Sequence, residues 1–283
     1  MRSVLVTDSG LGGLSVAAAL AERFRRAGAG LELTYFNAWP EQERGFNRFP
    51  SQAEQLRVLD AALLAMARLA PEVILIACNT LSVLYPGTRF SRAPALPVID
   101  IVSLGLRMIH ERMLAQPGSQ VILFGTLTTI ASEVHRNGLI DRGIAPGRIV
   151  AQACDRLAAE IEQDPESRTV QDMIGRFVAE AVSRLADPGA PVLAAFCCTH
   201  YNYSAGLFRA AFAPLEPEIV NPNEAMGACL EPAGAGPVRA RVLSRIVLSD
   251  QKVAAMVRQI RPVSPPLAEA LIRYRHDPDL FTY

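Results

Sequence analysis

Lysine is almost missing from this chain: of 28 basic residues only Lys252 is a lysine, and the rest are arginine. A pyridoxal-phosphate enzyme needs a lysine amine for its Schiff base. Lys252 falls in the stretch Val242–Ile260, which has helical spacing and several charges, far from any strand-end motif, so pyridoxal chemistry is not expected. Net charge is missing too, since 28 acidic residues cancel the 28 basic ones. That argues against nucleic acid or an anionic membrane as the main partner. No apolar run is long enough to span a bilayer. Met1–Asp8 meets an acid too early for a secretory signal. Five cysteines form an odd, unpatterned set. A secreted disulfide scaffold is therefore not expected, and a reducing cytoplasm fits best. What the chain does have is apolar mass: half of its 283 residues are hydrophobic. That is enough for one large domain or two smaller ones.

Two stretches stand out. Val73-Ile-Leu-Ile-Ala-Cys78-Asn79-Thr80 is an aliphatic run that ends in a cysteine and hydrogen-bonding side chains. Val192-Leu-Ala-Ala-Phe-Cys197-Cys198-Thr199-His200 repeats the form far downstream. Such runs read as buried strands of parallel sheets, and in open α/β sheets ligands bind at the carboxyl edge. The pattern to explain is two thiols delivered by two matching strands.

Taken in order, Ser3–Thr7 is a first strand, followed by Asp8-Ser9-Gly10-Leu11-Gly12-Gly13-Leu14-Ser15 and a helix to about Arg26. The glycines allow a tight turn and close backbone approach to a ligand. Gly10-x-Gly12-x-x-Ser15 is close to a dinucleotide fingerprint, but the strand Leu31–Phe36 runs into Asn37 rather than the acid that fingerprint requires. A loop that supports a carboxylate or thiol is the preferred reading. Asn37–Pro50 is a polar loop with Trp39, Arg44 and Arg48, and Ser51-Gln-Ala-Glu54 is a capping box opening a helix to about Ala70. The proline-rich stretch from Pro86 to Pro97 is read as a first crossing between lobes, and Pro214–Pro217 as a second. Val98–Ile101, Val121–Phe124 and Arg148–Gln152 are strands of the second lobe, with helices near Leu104–Leu114, Leu157–Gln163 and Thr169–Leu185. Gly125-Thr126-Leu-Thr-Thr129 occupies in that lobe the place that Asp8-Ser9-Gly10 holds in the first. Val242–Ile260 would pack back on the first lobe, and the tail from Pro262 to Tyr283 could serve as an arm in a homodimer.

Four chemistries are open to such thiols. Adjacent Cys197-Cys198 and four scattered histidines offer no zinc site. There is no Cys-x-x-Cys redox pair. Cys198 with His200 could pass for a cysteine hydrolase, which leaves Cys78 and the duplicated architecture unexplained. The remaining possibility places two thiols on opposite sides of one carbon, one removing a proton and the other returning it. Each needs support that draws its ionisation into a reactive range, roughly 3.5–7.5. For Cys78 the proton-handling neighbour is expected to be Asp8, and for Cys198 it is His200. Ser9, Asn79, Thr80, Thr126 and Thr199 are neutral donors able to hold a carboxylate and an ammonium, and to stabilise charge growing as the α-carbon loses its proton. Cys197 should face the other side of its strand, and Cys154 and Cys229 read as packing thiols.

Together, Asp8-Ser9-Gly10-Leu11-Gly12-Gly13-Leu14-Ser15, Ala77-Cys78-Asn79-Thr80, Gly125-Thr126 and Cys198-Thr199-His200-Tyr201 resemble the aspartate/glutamate racemase family, glutamate racemases most closely. The resemblance implies two similar α/β lobes with parallel-type sheets, related by a pseudo-twofold, with the active-site cleft between them. The lobes are expected to comprise residues 1–97 with 214–283, and 98–213. It also implies no cofactor and no metal, a small acidic amino acid or related carboxylic acid as substrate, and one cysteine acting on each enantiomer. Asp8 and His200 match the family's helpers. Glu162 falls near a further glutamate used beside the second thiol, with Glu160 as its neighbour.

Two departures touch the substrate. Glutamate racemases carry a Pro-Tyr-Gly loop after the second strand, where this chain reads Trp39-Pro-Glu41-Gln-Glu-Arg44-Gly-Phe-Asn-Arg48-Phe-Pro50. The proline that follows the Cys-Thr-His-Tyr run is here Asn202. Glutamate is the first expectation, with products feeding peptidoglycan precursors. Aspartate, a hydantoin or a diacid is the rival within the class, and a non-catalytic two-lobed binding or regulatory protein the rival outside it. Arg44 or Arg48 could hold a distal anion.

Overall fold

The computed structural model describes residues 1–283. By its internal contacts the chain divides into two compact units, residues 1–101 with 223–283, and residues 102–222. Each is built on its own sheet, and every strand pair in both sheets is parallel. The sequence alone puts the crossings at 97/98 and 213/214.

The first sheet is six-stranded: β1 (Arg2–Asp8), β2 (Leu31–Asn37), β3 (Val73–Ile76), β4 (Val98–Asp100), β9 (Val238–Ser244) and β10 (Arg275–His276), in the order β10-β9-β2-β1-β3-β4. The aliphatic residues of β3 are all buried, as expected of a strand covered on both faces. Helix Leu14–Arg26 turns Leu14, Ala17, Leu20, Ala21 and Phe24 inward and places Arg23, Arg25 and Arg26 in its last turn, where the helix dipole favours cations. Ser51 caps helix Gln52–Arg68 by accepting the Glu54 N–H at 3.3 Å, one half of the capping box.

Three expectations are corrected here. Val98–Asp100 pairs with β3 as an edge strand of the first sheet, so the chain crosses after it. Val238–Ser244 is a strand, with only Asp250–Ile260 helical; the alternation Val-Arg-Ala-Arg-Val has the period of two of a strand, and most of it precedes Val242. Lys252 is not remote from the strand ends, because its ammonium lies 5.3 Å above the ring of Trp39, just past the end of β2. The tail, finally, packs into its own unit. Phe281 packs against Phe36 at 5.9 Å with the rings tilted by 34°, and Tyr283 meets Phe49 edge-on at 6.4 Å.

The second sheet comprises β5 (Gln120–Gly125), β6 (Ile149–Ala153), β7 (Val192–Cys197) and β8 (Glu218–Val220), in the order β6-β5-β7-β8. Because β8 pairs with β7, the return crossing comes after Val220 rather than at Pro214. Its core includes Phe124, Phe196 and Phe208, whose rings meet at 5.2 and 4.8 Å. No helix in the chain is long and apolar enough to cross a membrane.

In each sheet the winding reverses beside the first strand of that sheet. From β1 the chain moves outward to β2, then returns to the other side of β1 with β3. From β5 it moves to β6, then returns with β7. Such reversals open a crevice at the carboxyl ends of the two central strands. Asp8 and Cys78 lie at the first reversal; Gly125-Thr126 and Cys198 lie at the second.

Candidate active site

At the first reversal, Asp8 closes β1 and is fully buried. Gly10 donates its N–H to Asp8 Oδ1 at 3.1 Å. Parallel register sets Thr7 beside Ile76, and Ala77 donates its N–H to the Thr7 carbonyl at 2.9 Å, which brings Cys78 to the strand edge. Cys78 is extended, at φ −111° and ψ 123°, and helix Asn79–Leu84 begins immediately after it. Its Sγ is 3.2 Å from Ser9 Oγ. Burial pushes this thiol well above its ordinary range and the Asp8 charge pushes it further, while the Ser9 hydroxyl and the N–H groups of Ser9 and Leu81 pull it back. The sequence led us to expect a lowered value. A fully enclosed sulfur beside a carboxylate is instead held protonated until another group or a ligand changes its surroundings. Asn79 and Thr80 are both buried next to it. Ser9, expected as a donor to substrate, is engaged with the sulfur.

At the second reversal, Gly125 is in register with Cys197, and Cys198 follows directly in extended geometry at φ −155° and ψ 128°. Cys198 Sγ lies 3.6 Å from His200 Nδ1. His200 Nε2 in turn lies 2.8 Å from Glu162 Oε1, on helix Leu157–Gln163. Histidine and glutamate are both buried, 5% and 2% exposed, so neither is screened by solvent. Burial disfavours a charged ring, but Cys198 and Glu162 outweigh it and hold His200 well above its ordinary value. This is a buried line of thiol, imidazole and carboxylate. Glu160 turns the other way, to Arg156 at 3.5 Å. Thr126 is buried and caps helix Leu127–Ala131 through the Thr129 N–H at 3.3 Å; Thr199 is buried behind the cysteine.

Other candidates fall away from these clusters. Arg44 forms a two-pronged pair with Glu41 at 2.9 and 2.7 Å and lies over the Phe49 ring, so its charge is already matched. Asn202 accepts from the Asn221 side chain at 2.7 Å. Cys154 and Cys197 are buried thiols pushed up by desolvation, and Cys229 is only partly covered. His135 is buried, and desolvation lowers it to about 4. No group of three metal-ligating side chains comes together anywhere in the chain.

The sequence gives the glycine loop a carboxylate-supporting role, and the Gly10 N–H fills it, but Tyr35 was missed. Tyr35, fully buried on β2, donates its hydroxyl to the Gly10 carbonyl at 2.7 Å. A Cβ at Gly13 would come within 3.0 Å of Asp8 Oδ2. One signal was available, since a tyrosine inside an otherwise apolar strand needs a partner for its hydroxyl.

A family model described as Asp/Glu/Hydantoin racemase matches residues 7–201. The chain is similar to glutamate racemase of Syntrophus aciditrophicus, 29% identical over 233 residues that cover 80% of this chain and 77% of the relative. It is also similar to glutamate racemase of Phenylobacterium zucineum, at 28% over 239 residues, 77% and 80% of the two chains. Among solved structures, glutamate racemase of Francisella tularensis in complex with D-glutamate superposes with a TM-score of 0.70 at 19% identity, over 93% of this chain and 95% of that one. This last likeness concerns the fold. Matched from the end of its first strand to the tyrosine after its second thiol motif, the chain is an isomerase of the Asp/Glu/Hydantoin racemase family.

Proposed function

We propose that the protein is a cofactor-independent amino-acid racemase that interconverts L and D enantiomers by proton transfer at the α-carbon, with glutamate as substrate. The observation that carries this reading is the pairing of each strand-end thiol with its own proton-handling partner: Cys78 with Ser9 and Asp8, Cys198 with His200 and Glu162. In each direction one sulfur takes the α-proton as a thiolate while the other, as a thiol, delivers a proton to the opposite face of the carbanion. Atoms balance, and the enzyme is left with its proton on the other sulfur. Asp8 and the His200–Glu162 pair move protons to and from the sulfurs. Asn79, Thr80, Thr126, Thr199 and Ser9 are assigned to the substrate's charged groups, with Ser9 first releasing Cys78. The glutamate assignment draws on the named relatives, and a cytoplasmic supply of D-glutamate to cell-wall precursors would follow from it.

A second substrate reading has its own support. The loop after β2 lacks Pro-Tyr-Gly, and its Arg44 is bound to Glu41, so aspartate or another small dicarboxylic acid remains a candidate. Incubation with L-glutamate and L-aspartate in heavy water decides between them. Racemisation is expected to load deuterium at the α-carbon while the circular-dichroism signal decays to zero for one substrate. Absence of exchange with either acid, or with the other carboxylic acids of the class, would overturn the proposal.

A further inference from the structure

Asp8 is fully buried, and residues outside the proposed proton path line its carboxylate. Its Oδ1 accepts the Gly10 N–H at 3.1 Å. The carbonyl of the same Gly10 accepts the Tyr35 hydroxyl at 2.7 Å. Tyr35 is on β2, in register with Val6 of β1, and is fully buried. Burying a phenol hydroxyl is costly unless it is paired, and this one is directed at the carbonyl of the residue whose N–H holds the carboxylate. The second oxygen, Oδ2, lies against the space that a side chain at Gly13 would take. A Cβ there would stand 3.0 Å from Oδ2, 2.9 Å from Asp8 Cβ and 3.2 Å from the Cβ of Ala77, the residue before Cys78.

We propose that Tyr35 and Gly13 are positioning residues for the reaction. Tyr35 pins the carbonyl of Gly10, the residue whose N–H holds one oxygen of Asp8, and the missing side chain at Gly13 leaves room for the other, beside Cys78. The assignment rests on the reading of Asp8 and Cys78 as a working pair and deepens it. Around Cys78 the charged group is Asp8, and its neutral neighbours are the Ser9 hydroxyl and the N–H groups of Ser9 and Leu81. Displacing Asp8 must therefore change how readily Cys78 ionises.

Tyr35→Phe keeps the buried ring and removes only the donor. The Cys78 thiolate is followed through a pH titration by its ultraviolet absorbance, as the difference between each protein and its own Cys78→Ser counterpart. No substrate is needed. Asp8→Asn is expected to move the titration to lower pH, and Tyr35→Phe to move it the same way by less. Gly13→Ala, with its Cβ against Asp8, provides an independent displacement should Tyr35→Phe fold poorly. Turnover in either variant is expected to fall roughly tenfold to a hundredfold in kcat, with KM little changed. A Tyr35→Phe or Gly13→Ala titration that superposes on the wild type's, whatever the loss in melting temperature, would make these residues structural and overturn the proposal. So would an Asp8→Asn titration that does not move. Failure of the racemase reading is distinguishable: α-exchange would be absent from the wild type while the Cys78 titrations still shifted.

Discussion

Serine in place of either strand-end cysteine leaves the shape of the site and removes a sulfur able to take and return a proton. Cys78→Ser and Cys198→Ser are each expected to lower racemisation on the order of a hundredfold or more, read as the decay of optical activity; wild-type rates in both would refute the two-thiol scheme. Glu162→Gln tests the helper line. With that carboxylate gone, the imidazole 2.8 Å away loses a partner that raises it, so His200 sheds its proton at lower pH. The alkaline limb of kcat against pH should move down; an unmoved limb would remove Glu162 from the mechanism. Both cysteines, Asp8 and His200 were legible in the sequence because each sits in a short motif at a strand end. Glu162 was reached only by resemblance, since its partner lies 38 residues away and no local spacing links them. The suppressed ionisation of Cys78 was not legible, because it depends on enclosure and on Asp8, some seventy residues upstream in a sequence where burial is not written.

Strands and helices tell a similar story one level up. The buried strands announced themselves as aliphatic runs, whereas the short partly exposed ones at sheet edges did not declare their sheet. Val98–Asp100 has three residues and no alternation, and only pairing with β3 gives it an owner. The tail, read from sequence as a possible arm in a homodimer, instead leaves Phe281 2% exposed against Phe36. Phe281→Ala is expected to cost about 3–5 kcal/mol in urea unfolding; a change below about 1 kcal/mol would show the tail to be peripheral. At the other end of the scale, Ser51→Ala removes one capping bond from helix Gln52–Arg68 and should cost about 1 kcal/mol.

For the whole molecule, two buried histidines of the second unit pull stability in opposite directions with pH. His135 is lowered to about 4 from an ordinary 6.5, so the unfolded chain binds its proton first. Its effect is nil above the unfolded value, and as pH falls from there to about 4 it withdraws on the order of 3 kcal/mol. His200 is raised, so its stabilisation is complete below the unfolded value and fades as pH climbs through the folded one. His135→Asn should therefore flatten the loss of stability between about pH 7 and pH 5, measured by denaturant unfolding, and an unchanged slope would contradict the assignment. One feature of chain order reaches beyond the finished protein. Strand β9 pairs with β2 along all seven residues of β2, yet Arg239 lies 207 residues beyond its partner Glu32. On a ribosome adding about 5–20 residues per second, β2 waits roughly 10–40 seconds for its neighbour, while the contiguous stretch 102–222 emerges complete. Translation thus finishes the inserted unit before the one that precedes it, and the bare flank of β2 is what a chaperone would have to shield in the interval.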